Sequence, residues 1–121
     1  MKFLIVEDSK MSRMLIKKAL KQYGYTDFIE TENGEDALEM INDVDFIITD
    51  INMPIMHGYE LIKRVPVDNK TIPILVVSTN KADQDVEEAI RCGANGYVVK
   101  PFFPEHLKQS IDAILSKSTT E

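Results

Sequence analysis

The sequence predicts an α/β domain built on a parallel sheet with helices on both faces. Three observations lead there. Short apolar runs alternate with longer amphipathic ones along the whole chain. The runs are apolar at successive positions, as strands buried on both faces are. Polar residues able to do chemistry stand directly after them, where open α/β sheets carry their sites.

Taken in order, Phe3 to Val6 is the first strand. Ser9 is a good N-cap for the helix that follows. Met11, Met14, Leu15, Ala19 and Leu20 recur at helical spacing, with Gly24 just beyond. The two methionines are read as core filler. Asp27 to Thr31 is a second strand. Asn33 and Gly34 open a helix with Ala37, Leu38 and Ile41 on one face, and Phe46 to Thr49 is the third strand. Asp50 to Gly58 is a loop punctuated by Pro54 and Gly58. Tyr59 to Val65 forms a short helix closed by Pro66, and Ile74 to Val77 a β-branched fourth strand. Ala82 to Cys92 is an acidic amphipathic helix with Gly93 as its C-cap. Tyr97 to Val99 is the fifth strand. Pro104 suits the first turn of a last helix running through Leu107, Ile111 and Leu115.

The gross numbers narrow the function. The chain has 121 residues, 44% of them hydrophobic and 28% charged, which suits one domain over residues 1–121. Fourteen basic against twenty acidic residues leave a net charge of −6. That balance argues against a sequence-independent nucleic-acid binder, which needs a basic face. Cys92 is the one cysteine, so no internal disulfide can form, in keeping with a reducing compartment. No apolar run approaches the roughly 18 residues of a membrane span, and the four after Lys2 are too few for a signal peptide. The expectation is a cytoplasmic protein without a membrane partner.

The residues after the strands are more specific. Glu7-Asp8 follow the first, Asp50 the third, Ser78-Thr79 the fourth and Lys100-Pro101 the fifth. Alone, Asp8 reads as a helix cap, Asp50 as the start of a turn, Ser78 as a strand-end hydroxyl and Lys100 as a solvated lysine. Together those plain readings require four coincidences at the same end of four segments. Clustered carboxylates call for a cation, and oxygen ligands without His or Cys favour Mg²⁺. A carboxylate beside Mg²⁺ can attack phosphorus and form an aspartyl phosphate, with a lysine and a hydroxyl to meet the phosphoryl oxygens.

From Lys2 to about Lys117 the sequence resembles bacterial response-regulator receiver domains. The motifs are Glu7-Asp8, the run Asp50-Ile51-Asn52-Met53-Pro54-Ile55-Met56-His57-Gly58, Ser78, and the run Gly93 to Phe102 containing Tyr97, Lys100 and Pro101. The resemblance implies a flavodoxin-like (βα)5 sheet of order 2-1-3-4-5 and a cis Lys100–Pro101 peptide. It implies Asp50 as phosphoacceptor, with Mg²⁺ held by Asp8, Asp50, the Asn52 carbonyl and Glu7. Lys100 and Ser78 would contact the phosphoryl group, and Tyr97 would be the aromatic switch residue. The implied partners are a sensor histidine kinase and a downstream protein target, bound through Ala82–Cys92, the fifth strand and the last helix. A monomer or weak phosphorylation-dependent dimer is expected, as in chemotaxis signalling. Glu7 stands where Asp is commoner, Ser78 where Thr is, and His57, read as exposed filler, where Asn or Asp is. The expectation is a stand-alone regulator; the receiver part of a longer one is the alternative. A small aspartyl-phosphate phosphatase is disfavoured, because Asn52 stands where such enzymes put their second acid.

Overall fold

The computed structural model describes residues 1–53, 55–65 and 72–118. Five strands and five helices alternate: β1 Lys2–Val6, α1 Lys10–Gln22, β2 Asp27–Thr31, α2 Gly34–Leu38, β3 Phe46–Thr49, α3 Gly58–Arg64, β4 Ile74–Ser78, α4 Asp83–Cys92, β5 Gly96–Val99 and α5 Pro104–Ser118. All strand pairs are parallel, in the order β2-β1-β3-β4-β5. The Lys100–Pro101 peptide is cis, as the resemblance implied. Pro54 and Pro66, read above as punctuation, lie outside the described residues.

The period of two in the strands divides the core. Leu4, Val6, Ile47 and Val76 point to one face and pack with Ala37, Leu61, Ile62 and Ala89 of α2, α3 and α4. Phe3, Ile5, Phe46, Ile48, Leu75 and Val77 point to the other and pack with Ile16, Ala19 and Leu20 of α1 and Leu107, Ile111 and Ile114 of α5. Both faces are therefore covered, and the central strands are apolar throughout because neither face meets water.

Two expectations need correcting. Met11 and Met14 are not core residues: they are 71% and 57% exposed, and Leu15 is 54% exposed. At about 100° per residue, Ile16, Ala19 and Leu20 form the buried stripe, while Met11, Met14 and Leu15 fall on the opposite side. The helix read through Ile41 ends at Leu38, because the Glu39 and Met40 amides bond three residues back, to Asp36 and Ala37. A single 3-10 turn, Ile41–Asp43, then carries the chain into β3.

Register places the site. Val6 is paired with Thr49, so their successors Glu7 and Asp50 leave the sheet side by side. Ser78 is paired with Val99, so Lys100 leaves beside Thr79.

Candidate functional site

Three side chains meet at the carboxyl edge of the sheet. Glu7 is 2% exposed and Asp50 8%. Between them lies the Lys100 ammonium, with Nζ 3.0 Å from Glu7 Oε2, 3.1 Å from Asp50 Oδ2 and 3.2 Å from Ser12 Oγ. These contacts use all three ammonium protons. The other Asp50 oxygen, Oδ1, accepts from the Ile51 amide at 2.6 Å and more distantly from the Asn52 amide at 3.4 Å.

The backbone around Asp50 is equally constrained. Its amide donates to the Val6 carbonyl at 3.1 Å, extending the β1–β3 ladder by one residue. Gly58 returns the loop against it, donating to the Ile51 carbonyl at 2.8 Å. A Cβ on Gly58 would stand 2.4 Å from the Asp50 carbonyl oxygen and 2.6 Å from Ile51 Cα, so no other residue fits that approach. His57, expected to be filler, is exposed but caps α3, its Nδ1 accepting from the Tyr59 amide at 3.3 Å.

Electrostatics divides the two acids. Glu7 is raised from its usual 4.5 to about 7, chiefly by burial, which together with the charge of Asp50 outweighs the opposing bond to Lys100. Burial also disfavours the Asp50 carboxylate, but hydrogen bonding with Glu7 and the charge of Lys100 outweigh it and hold its pKa below the usual value. For Lys100 the penalty of burial is exceeded by the bond to Glu7 and the charge of Asp50, so its pKa is raised. The site thus keeps an ionised Asp50, a Glu7 able to hold a proton near neutral pH, and a charged lysine.

Ser78 is fully buried, and its Oγ accepts from the Asn80 amide at 3.2 Å. Tyr97 is half-buried on β5, and its hydroxyl donates to the Asn80 carbonyl at 2.7 Å. Asn52 is exposed and joins the same residue, with Nδ2 3.0 Å from Asn80 Oδ1. Asp8 stands apart: its side chain is exposed, and no described residue hydrogen-bonds to it.

The implied metal ligands are therefore not gathered around one point. Lys100 lies between Glu7 and Asp50, and among the described residues no group of three or more acidic, His or Cys side chains is poised around a cation. The donor chemistry still suits a hard cation: Glu7 and Asp50 offer buried oxygens that share one lysine, and the exposed Asp8 is next in sequence to Glu7.

Ser12 and Arg13 were missed by the sequence reading. Ser12 holds Lys100, and Arg13 Nη1 donates to the Glu7 carbonyl at 2.7 Å. Both lie on the first turn of α1, and their partners are a residue 88 positions away and a backbone atom, so no local pattern marks them.

A family model for the response regulator receiver domain matches residues 3–112. The chemotaxis protein CheY1 of Helicobacter pylori is 42% identical over 120 residues, covering 95% of this chain and 97% of its own. CheY of Pseudomonas aeruginosa is 40% identical over 121 residues, covering 97% and 98%. Among solved structures, the chemotaxis response regulator CheY4 of Vibrio cholerae superposes with a TM-score of 0.83 at 34% identity, covering 93% of this chain and 97% of its own. A response regulator from Chloroflexus aurantiacus gives 0.87 at 32% identity, covering 95% and 97%.

Proposed function

The chain belongs to the response regulator receiver family, and from that premise we propose that it is a single-domain phosphorylation switch with Asp50 as acceptor. The observation that carries this reading is the shared ammonium: Lys100 holds Asp50 ionised at a sheet edge where the neighbouring carboxyl, Glu7, can be neutral.

An Asp50 carboxylate oxygen attacks the phosphorus of a phosphohistidine on a sensor kinase. The new O–P bond forms as the P–N bond breaks, and the departing imidazole takes a proton. Glu7, Asp8, Asp50 and the Asn52 carbonyl would hold the Mg²⁺ that receiver domains generally use, which supplies charge neutralisation at phosphorus when bound. Lys100 would follow the phosphoryl oxygens, since its bond to Asp50 Oδ2 already aims it there. Ser78 would exchange the Asn80 amide for a phosphoryl oxygen, and Tyr97 would respond through its own bond to Asn80. Apart from its own phosphorylation and dephosphorylation, the protein is not a catalyst.

Two surfaces would serve two partners. The exposed apolar face of α1, Met11, Met14 and Leu15, is accompanied by exposed Lys10, Lys18 and Lys21. It borders an apolar groove of about 440 Å³ that reaches Lys100 and Phe102. A phosphodonor approaching Asp50 would rest there. The downstream target would take α4, β5 and α5, where Ile90 and Val99 are 47% and 37% exposed. No described helix is long and apolar enough to cross a membrane. The reading is a cytoplasmic regulator of chemotaxis type, monomeric or weakly dimeric when phosphorylated, without direct nucleic-acid contact.

Intact-mass measurement after incubation with acetyl phosphate and Mg²⁺ tests it. One added phosphoryl group is expected, absent in Asp50→Asn and absent with chelator. Full labelling of Asp50→Asn would remove Asp50 from this role.

A further inference from the structure

The first turn of α4 is poorly anchored by its own sequence. Ala82 stands at the N-cap and supplies no side-chain bond. The preceding loop is tied at Asn80, whose amide, carbonyl and side chain bond to Ser78, Tyr97 and Asn52 respectively. The helix itself is reached from α3. The Tyr59 hydroxyl donates to the Asp85 carbonyl oxygen at 3.2 Å, across 26 residues. Tyr59 immediately follows Gly58, the residue against which the Asp50–Ile51 backbone closes. Its amide is held by His57, and the two rings lie 4.9 Å apart. The ring is half-buried and packs against the core beneath α3 and α4.

We propose that Tyr59 is a positioning residue of the switch: it ties the first turn of α4 to the Asp50 loop from the α3 side, as Tyr97 ties the preceding loop from the β5 side. The inference rests on the reading of Asp50 as phosphoacceptor. When Ser78 gives its oxygen to a phosphoryl group, the Asn80 amide loses its acceptor and the segment from Thr79 to Ala82 must rearrange. The start of α4 can then follow that segment or stay in register with α3. Tyr59 decides for α3, because its ring has only two torsions, is held by packing, and carries a bond into α4 from a helix that begins where the Asp50 loop ends. Movement of that loop therefore reaches the target-facing helix by a second path. A single neutral hydrogen bond biases a two-state equilibrium about fivefold, enough to matter and too little to decide folding.

Amide NMR of the whole chain, with and without acetyl phosphate and Mg²⁺, tests the tie in Tyr59→Phe. The variant should label once at Asp50, like the parent. Amides around Asp50, Ser78 and Lys100 should move as in the parent, while shifts across residues 83–92 fall to about half or less. A purely structural role would lower stability without changing that ratio. An undiminished α4 response in fully labelled Tyr59→Phe overturns the proposal and leaves the phosphoacceptor reading standing. Failure of the parent to label sinks both. Should Tyr59→Phe not fold, His57→Asn keeps a capping side chain but removes the ring against Tyr59. A smaller reduction in the same direction supports the tie, and an unchanged α4 response refutes it.

Discussion

At their amino ends β1, β3 and β4 bury Phe3, Phe46 and Ile74 among apolar neighbours, whereas at or just beyond their carboxyl ends they bury Glu7, Asp50 and Ser78. The amino end is closed by aromatic contacts: Phe3 meets Tyr25 at 5.0 Å, Phe46 at 5.2 Å and Phe28 at 6.5 Å between ring centroids. The carboxyl end is closed by a lysine shared between two acids. Thr31, at the end of β2, even buries a hydroxyl that no described residue bonds. Apolar burial stabilises at about 25 cal/mol per Å², whereas a buried charge costs unless paired and hydrogen-bonded. One end of the sheet supplies stability, and the other spends it to keep reactive groups in place.

The largest expected effect separates the two ends. Phe3→Ala should cost about 3–5 kcal/mol of folding stability, as truncations of buried aromatics do. Urea unfolding would measure it, and the fraction still folded should label on Asp50 like the parent. Asp50→Asn should do the reverse, abolishing labelling with no comparable loss of stability. Impaired labelling of folded Phe3→Ala would mean that the ends are not separable in this way.

Next comes Ser78→Ala. Its phosphorylation should survive, because Ser78 does not hold Asp50 in the resting chain. The coupling to Tyr97 should not survive. A hydrogen bond to a charged group contributes about 1.5–3 kcal/mol, so target affinity should lose roughly ten- to a hundredfold of its phosphorylation dependence. Titrating the target against phosphorylated and unmodified protein would show this, and an unchanged ratio would remove Ser78 from the switch.

A smaller effect is expected outside both ends, on α1. Leu15→Glu places an acid in the exposed apolar face beside the groove. Phosphotransfer from the cognate kinase should slow about tenfold, a typical loss for an interface anchor, while labelling by acetyl phosphate stays unchanged. Equal slowing with both donors would place the fault at the site and not at the docking face.

The contrast between the ends also explains what the sequence made legible. Strands buried on both faces announce themselves as unbroken apolar runs, and the residue after each run is the one delivered to the carboxyl edge. Asp50, Lys100, Ser78 and Glu7 could be nominated on that basis alone. Met11, Met14 and Leu15 misled because α1 carries apolar residues on two sides, and periodicity does not say which side meets the sheet. Ser12 was invisible because its role depends on where β5 lies. Asp8 was readable as an acid just after β1, but its exposure was not, since a side chain just past a strand turns with the loop and not with the pleat.

The smallest expected effect lies in the pH dependence of the metal-free chain, and its sign tests the electrostatic half of the comparison. Glu7 is raised by burial from 4.5 to about 7 in the folded state. Between those values the folded chain holds a proton that the unfolded chain has released, so this group makes stability fall as pH rises across that window. Asp50 works in the opposite sense. Its pKa lies below the usual 3.8, so its contribution is present above that value and is lost as pH falls through the folded pKa. Glu7→Gln removes the first effect and keeps the second, since its one amide oxygen can still accept from Lys100 while only the bond from the Ser9 amide to the other carboxylate oxygen is given up. In chelator, the melting temperature of Glu7→Gln relative to the parent should therefore climb as pH is raised from about 4.5 to about 7, by a few degrees in all. Excess Mg²⁺ should shrink the difference, because a cation beside the carboxylate stabilises its ionised form. A difference that stays flat with pH would mean that Glu7 is ionised throughout, and that the Lys100 ammonium holds both acids in their charged form despite burial.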